Sequence, residues 1–300
     1  MKITIIGAGL VGVNVCHNIC LKNIADEIIL VDINETVKGK VIDMMQSKFI
    51  NNFKTNIHSI SDDNYDKTKN SDIIIITCGM PRKPGMSRED LFKTNYNIVK
   101  SVIDKLIITS PDSIYIIVTN PVDKILDMIN YNTYLNIPKN KLIGLGNILD
   151  TSRFKYYIYE NLEEKTMDIE ADVIGLHTDK KMIPLINHAK VGGKLIKDFI
   201  SKDILDKIVN DTKNGGAILT NLMNTSAYYS PAASVTLLVE SIIKDSKNIL
   251  NCSILLNGEY GIYNKFIGVP VVIGKSGIEK IIIKDLDEEE LKLLKDISPL

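Results

Sequence analysis

Residues 1–32 read MKITIIGAGLVGVNVCHNICLKNIADEIILVD. Lys2 to Ile6 is a β-branched run of strand length, glycines follow it at positions 7, 9 and 12, and an apolar helical period begins near Leu10. A second strand-like run, Glu27 to Val31, ends on Asp32. In this order the first glycine allows a tight turn, the second lets a pyrophosphate approach the backbone, and the third lets helix and sheet pack closely. The N–H groups and dipole of the helix then face the phosphates. A carboxylate closing the second strand accepts hydrogen bonds from an adenine-ribose diol and repels a 2′-phosphate, so the stretch predicts NAD over NADP. Gly7, Ala8, Gly9, Leu10, Val11, Gly12 and Asp32 form the candidate cofactor loop. A glycine turn beside a solvated acid is the bland alternative, and the strand and helix on either side argue against it.

Working outward, the same alternation of short β-branched runs and longer helical periods continues to about residue 145. Further strands are expected at Asn56 to Ile60, Asp72 to Thr77, Ile114 to Thr119 and Lys141 to Gly144. This pattern yields a parallel sheet covered on both faces. Beyond it come a helix, strands around Ala171 to Asn187, a helix from about Lys202 to Met223, another helix, more strands and a terminal helix. That change of order predicts a second lobe, with a cleft between the lobes as the default site. No Pro, Gly or Ser-rich linker and no internal repeat interrupts the chain.

Composition narrows the classes further. The 300 residues are 45% hydrophobic and 24% charged, as in folded chains rather than disordered or fibrous ones. A net charge of -1 with interspersed signs gives no field for nucleic acid or an acidic membrane, so a small-molecule partner is expected. No apolar run approaches the roughly 18 residues of a bilayer span, and the chain opens on a strand instead of a signal peptide, which predicts a cytoplasmic protein. Cys16, Cys20, Cys78 and Cys252 lack metal or redox spacing and are expected as reduced, buried thiols. No two histidines sit at ligand spacing, so no metal site is expected.

Arginine occurs only at Arg82, Arg88 and Arg153 among 36 basic residues. Where lysine serves generic surface needs, a rare planar bidentate cation marks a position that can need one. Arg82 and Arg88 lie in MPRKPGMSR, a loop with two prolines and a glycine, and Arg153 follows Asp150 by three residues. Three such cations would suit a substrate with two carboxylates and a carbonyl. Ordinary surface arginines would fit the spacing as well. His177 ends the apolar run ADVIGL, and a buried carboxylate beside it would fix its tautomer, stabilise the imidazolium and make a general acid for a ketone. Asp150 is a candidate for that carboxylate, while a packed strand-end histidine is the alternative. His17, His58 and His188 carry no such pattern. Thr119 and Asn120 open TNPVD at another strand end, where Asn120 faces a ligand or simply marks a turn.

Taken together, GAGLVG with Asp32, RKPGMSREDL, VTNPVD, ILDTSRF, VIGLHTD and SAYYSPA resemble, in order and over nearly the whole chain, the lactate/malate dehydrogenase family, and specifically its malate branch. The resemblance implies a Rossmann-type doubly wound parallel sheet in residues 1–145, binding NAD, and an α+β catalytic domain in 146–300. It implies (S)-malate oxidation to oxaloacetate, with His177 exchanging the hydroxyl proton and Asp150 orienting it. Arg153 would clamp the carboxylate beside the reacting carbon, Arg88 would polarise the carbonyl, Arg82 would pair with the distal carboxylate, and Asn120 would hydrogen-bond substrate. Asn95, Val118, Thr119 and Asn120 match cofactor contacts. A homodimer or homotetramer and a place in the tricarboxylic acid cycle are also implied. The lactate branch carries a neutral glutamine at the position of Arg82, so a lactate or other 2-hydroxy acid dehydrogenase is the rival enzyme. A non-catalytic dinucleotide-binding protein is the rival of another class. Two segments depart from the family pattern: Thr178 stands where glycine is usual, with Lys180 and Lys181 lengthening the approach to Pro184, and NTSA before Tyr228 lacks a glycine.

Overall fold

In the computed structural model, which describes residues 1–61, 64–81, 86–132 and 135–297, the strands of the first part of the chain fall where β-branched runs placed them. In chain order the elements are β1 (Lys2–Ile6), α1 (Leu10–Leu21), β2 (Glu27–Val31), α2 (Thr36–Asn51), β3 (Asn56–Ile60), β4 (Ile73–Ile76), α3 (Arg88–Thr109), β5 (Ile114–Ile117), α4 (Val122–Tyr131) and β6 (Leu142–Gly144). There follow α5 (Ile148–Glu160), β7 (Ile169–Glu170), β8 (Val173–Gly175), β9 (Met182–Pro184), β10 (Lys190–Val191), β11 (Lys194–Leu195), α6 (Lys202–Met223), α7 (Tyr229–Ile243), β12 (Asn248–Asn257), β13 (Tyr263–Gly274), β14 (Gly277–Ile281) and α8 (Glu288–Asp296). Contacts divide the chain into two compact units.

The first unit contains Met1–Gly144, Tyr228–Asn248 and Ile273–Glu279. Six of its strands run parallel in the order β3-β2-β1-β4-β5-β6. β4 is four consecutive isoleucines, all fully buried, because helices cover both faces of a parallel sheet and leave no polar side for alternation to mark. Strand order reverses between β1 and β4, the point where α/β sheets open a crevice at the carboxyl ends of their strands. Both β4 and β5 stop short of their expected ends. After β5, the Thr119 hydroxyl donates to the carbonyls of Ile76 and Cys78, bending the chain away from the ladder before the cis Asn120-Pro121 bond. α7 lies far along the sequence but packs against α1, whose Val15, Cys16, Ile19 and Cys20 are buried, and Lys22 pairs with Glu240 at 2.6 Å.

The second unit contains Leu145–Ala227, Ile249–Val272 and the chain from Lys280. There β13 pairs antiparallel with β8, and β8 with β9, while β11-β10-β7 form a small antiparallel sheet. Phe154, Ile158, Val173, Met182 and Ile208 anchor its core, so α5 is fixed between strand and helix partners. Among the described residues no helix is long and apolar enough to cross a membrane.

Candidate active site

The glycine loop of the first unit is shaped by contacts that leave one face open. Gly7 has φ +102°, and a Cβ there would meet the Cys78 nitrogen at 2.7 Å. A Cβ on Gly12 would meet the Gly7 carbonyl oxygen at 1.9 Å, which is no contact at all but an overlap. At Gly9, by contrast, a Cβ would find nothing within 4 Å. Gly9 is also the N-cap of α1, with no side-chain cap and no acid in the first turn, so the helix's own residues leave its positive end uncapped there. Space, dipole and backbone donors together fit a pyrophosphate. Asp32 ties the loop to β2: its carboxylate accepts from the backbone N–H of Ala8 at 2.6 Å and of Asn34 at 2.9 Å. An anionic carboxylate has further lone pairs, which fit the diol of an adenine ribose. The residues present thus suit NAD.

Asn95, Val118, Thr119 and Asn120 stand beside this loop in the first unit, with distinct duties. Asn95 is 3% exposed, and its side chain is engaged three times: Oδ1 accepts from Met80 N, and Nδ2 donates to the carbonyls of Met80 and Asn120. It braces the strand-end loops against one another. Gly79 lies in the same brace, where a Cβ would meet Thr119 Cγ2 at 2.7 Å. Thr119 is buried with its hydroxyl turned onto Cys78 O at 2.6 Å, whereas Val118 is half-buried and Asn120 exposed. Cys78 itself is half-buried, unlike the other three cysteines, which are buried; burial and then the nearby Asp32 push its thiol up to about 12.

In the second unit, α5 presents Asp150 and Arg153 one turn apart on the same face. Asp150 is 0% exposed, and three donors surround its carboxylate. Oδ2 lies 2.6 Å from His177 Nδ1 and 3.2 Å from Asn147 Nδ2, and Oδ1 accepts from Arg153 Nη1 at 3.1 Å. A carboxylate only accepts, so His177 carries its Nδ1 proton toward Asp150. His177 follows β8 in the turn to β9, closed by Thr178 O accepting from the N–H groups of Lys181 and Met182 at 3.0 Å each. Lys180 and Lys181 are exposed on that turn. In the segment that lacks a glycine before Ser226, α6 ends at Met223 and its C-cap Asn224 takes φ +54°.

The Arg153 guanidinium lies against α6 where the helix carries Gly215 and Gly216; a Cβ on Gly215 would meet Arg153 Cδ at 3.2 Å. Among the described residues, the buried side-chain polar atoms with no hydrogen-bond partner are Arg153 Nε, Asn147 Oδ1 and Thr178 Oγ1. All three belong to residues adjoining the Asp150–His177 pair in sequence or in hydrogen bonding, and such atoms could meet a polar guest. Asn147, Gly215 and Gly216 were not singled out by the sequence. Two adjacent glycines within a helix were the available signal, since each costs about 1 kcal/mol against alanine. Arg82 lies outside the described residues, and Arg88 is the first residue of α3, its side chain outside the description.

Comparison with known proteins gives the family. Residues 1–144 match the model of the lactate/malate dehydrogenase NAD binding domain, and residues 148–299 that of the lactate/malate dehydrogenase alpha/beta C-terminal domain. A malate dehydrogenase of Flavobacterium frigidimaris is 43% identical over 299 residues, covering 98% of this chain and 94% of the relative. The crystal structure of Cryptosporidium parvum malate dehydrogenase superposes with a TM-score of 0.92 at 37% identity, covering 98% of this chain and 94% of that one. A lactate dehydrogenase of the same organism, solved with lactic acid and the dinucleotide, gives 0.91 at 32% identity, covering 99% and 94%. With a parallel sheet and glycine loop in one unit, a carboxylate–histidine–arginine cluster in the other, and matches along both, the chain belongs to the lactate/malate dehydrogenase family.

Proposed function

We propose that this chain is an NAD-dependent malate dehydrogenase, interconverting (S)-malate and oxaloacetate. The observation that carries the reading is Asp150, a fully buried carboxylate shared between His177 Nδ1 at 2.6 Å and Arg153 Nη1 at 3.1 Å. Bound NAD, held by the Gly7 to Gly12 loop and Asp32, supplies the acceptor for the hydride that leaves the hydroxyl-bearing carbon. In that direction His177 Nε2 takes the hydroxyl proton, and Asp150 stabilises the imidazolium that results. In reverse the imidazolium returns the proton to the carbonyl oxygen. Arg153 grips the carboxylate next to the reacting carbon in the two-point fashion of a guanidinium, using donors that include the unpartnered Nε. Arg88 polarises the carbonyl, Asn120 hydrogen-bonds substrate, and Asn95 and Thr119 hold the loop that carries Asn120.

Selection of a four-carbon dicarboxylate follows from charge. Each carboxylate carried out of water needs a countercharge, or several kcal/mol are lost. Arg153 neutralises one end and Arg82 the other, so pyruvate leaves Arg82 without its anion. The reading extends to a reducing, cytoplasmic setting, supported by four free thiols. It extends also to a homodimer or homotetramer, supported by Ile42, Phe49 and Ile50, which α2 leaves exposed. The test is NADH oxidation with oxaloacetate against pyruvate. A higher kcat/KM for oxaloacetate is expected, and a higher value for pyruvate would move the chain to the lactate branch.

A further inference from the structure

Asn147 occupies the N-cap of α5, a position where asparagine ordinarily folds its side-chain oxygen back onto the helix's first N–H groups. It makes no such bond. Its amide instead donates forward to Asp150 Oδ2, the same oxygen that meets His177 Nδ1, and its own Oδ1 is left buried without a partner. The surrounding chain is arranged to admit this side chain. Gly146, at φ +53°, turns the backbone into the helix where a Cβ would strike Ser253 N at 2.4 Å. Opposite, a Cβ on Gly268 would come within 1.6 Å of Asn147 Oδ1, so the amide occupies the volume that any other residue at 268 would fill. Gly268 in turn pairs with Gly175, the last residue of the strand that leads to His177.

A good capping side chain that forgoes the cap, tolerates an unpaired buried oxygen and is accommodated by a glycine across the sheet is serving its one remaining bond. We infer that Asn147 is a positioning residue for the reaction, holding Asp150 Oδ2 toward His177. The need for it follows from the other donors on that carboxylate. Arg153 is claimed by the substrate carboxylate, and His177 changes its proton count at each turnover. The Asn147 amide is the neutral, non-titrating donor of the three, and it keeps the carboxylate's orientation when the other two change state. This inference rests on the malate dehydrogenase reading for its kinetic part and on the hydrogen-bond geometry for the rest.

The test is Asn147→Ser, which removes the donor to Asp150 while offering a hydroxyl able to cap α5, with Asn147→Ala beside it. Wild type and variants are compared for NADH oxidation with oxaloacetate, for the primary isotope effect with 4-deuterated NADH, for melting temperature, and for the downfield imidazole proton resonance of His177. Expected for the serine variant are a kcat lower by roughly ten- to hundredfold, a KM within about twofold, a larger isotope effect and a displaced imidazole resonance. A merely structural residue would lower the melting temperature and leave the isotope effect and resonance in place, and that result overturns the inference. Wild-type protein that fails to oxidise NADH with oxaloacetate would overturn the malate reading instead. In that case the resonance decides alone: displaced, it supports the role of Asn147, and unmoved, it refutes it.

Discussion

Replacing Asp150 by asparagine tests the core of the active-site reading with little change of shape. The carboxylate is fully buried and accepts from His177, Arg153 and Asn147. An amide in its place presents two N–H groups among three donors, so at least one donor pair is set in opposition and the imidazolium loses its countercharge. With 2.6 Å between Nδ1 and Oδ2, the charge centres are about 4 Å apart. At an effective dielectric of about 20 the lost attraction is about 4 kcal/mol. Where the imidazolium forms in the transition state, that corresponds to about three decades in kcat. The assay is steady-state malate oxidation by NAD+, followed through NADH absorbance, with NADH binding measured separately by fluorescence. Binding is expected unchanged, because the glycine loop and Asp32 make none of these contacts. A kcat within about tenfold of wild type, in a variant that melts as wild type does, would refute the assignment of Asp150 as the partner of a transient cation.

Other expectations follow from single contacts. Gly12→Ala places a methyl onto the Gly7 carbonyl and should cost about 2–3 kcal/mol of stability, whereas Gly9→Ala, with open space around it, should leave stability within about 0.5 kcal/mol. Gly9→Ala should nonetheless weaken NADH by about tenfold in titrations, and unaltered affinity would mean that no phosphate approaches there. Gly216→Ala, where a Cβ would meet Arg153 only at 3.6 Å, should gain up to about 1 kcal/mol from helix propensity. Gly215→Ala pushes on Arg153 Cδ and should lower kcat/KM for oxaloacetate about fivefold or more; equal behaviour of the two variants would count against the fit between Arg153 and α6. Asp287 caps α8, and its carboxyl is held below the ordinary range by the Glu290 N–H first and the Asn187 amide next among the lowering contacts. Stability from a depressed carboxyl is complete above its unfolded value and lost as pH falls through the folded one. Hydrogen-exchange protection of α8 should therefore hold down to about pH 5 and drop below about pH 4. Asp287→Ala should show the lower protection already at neutral pH.

The parallel strands were readable almost to the residue, because a strand buried on both faces needs a β-branched run and a turn residue at each end. Lys2–Ile6, Glu27–Val31 and Asn56–Ile60 meet that requirement locally. The dyad was readable as residue types and became a pair only through folding, since 27 positions separate Asp150 from His177. Asn147 was hidden for a different reason: at the start of a helix, asparagine is so ordinary a cap that its identity signals nothing until the side chain is seen to point elsewhere. Asn95 and Thr119 resemble cofactor contacts in sequence, while the structure engages their polar groups with the chain itself. Nor does the amphipathic pattern of α7 say which helix it will cover. Periodicity gives the width of an apolar stripe but not its partner.

That last pairing bears on how the protein comes into being. The back of the helix that carries the glycine loop is covered by α7, residues Tyr229–Ile243. A growing polypeptide that has left the ribosome only through β6 displays the loop on a helix whose apolar side is still wet. Synthesis must run on through the whole intervening stretch before that packing can form, and a fragment cut after Gly144 should therefore be a poor substitute for the native lobe, binding the dinucleotide more weakly.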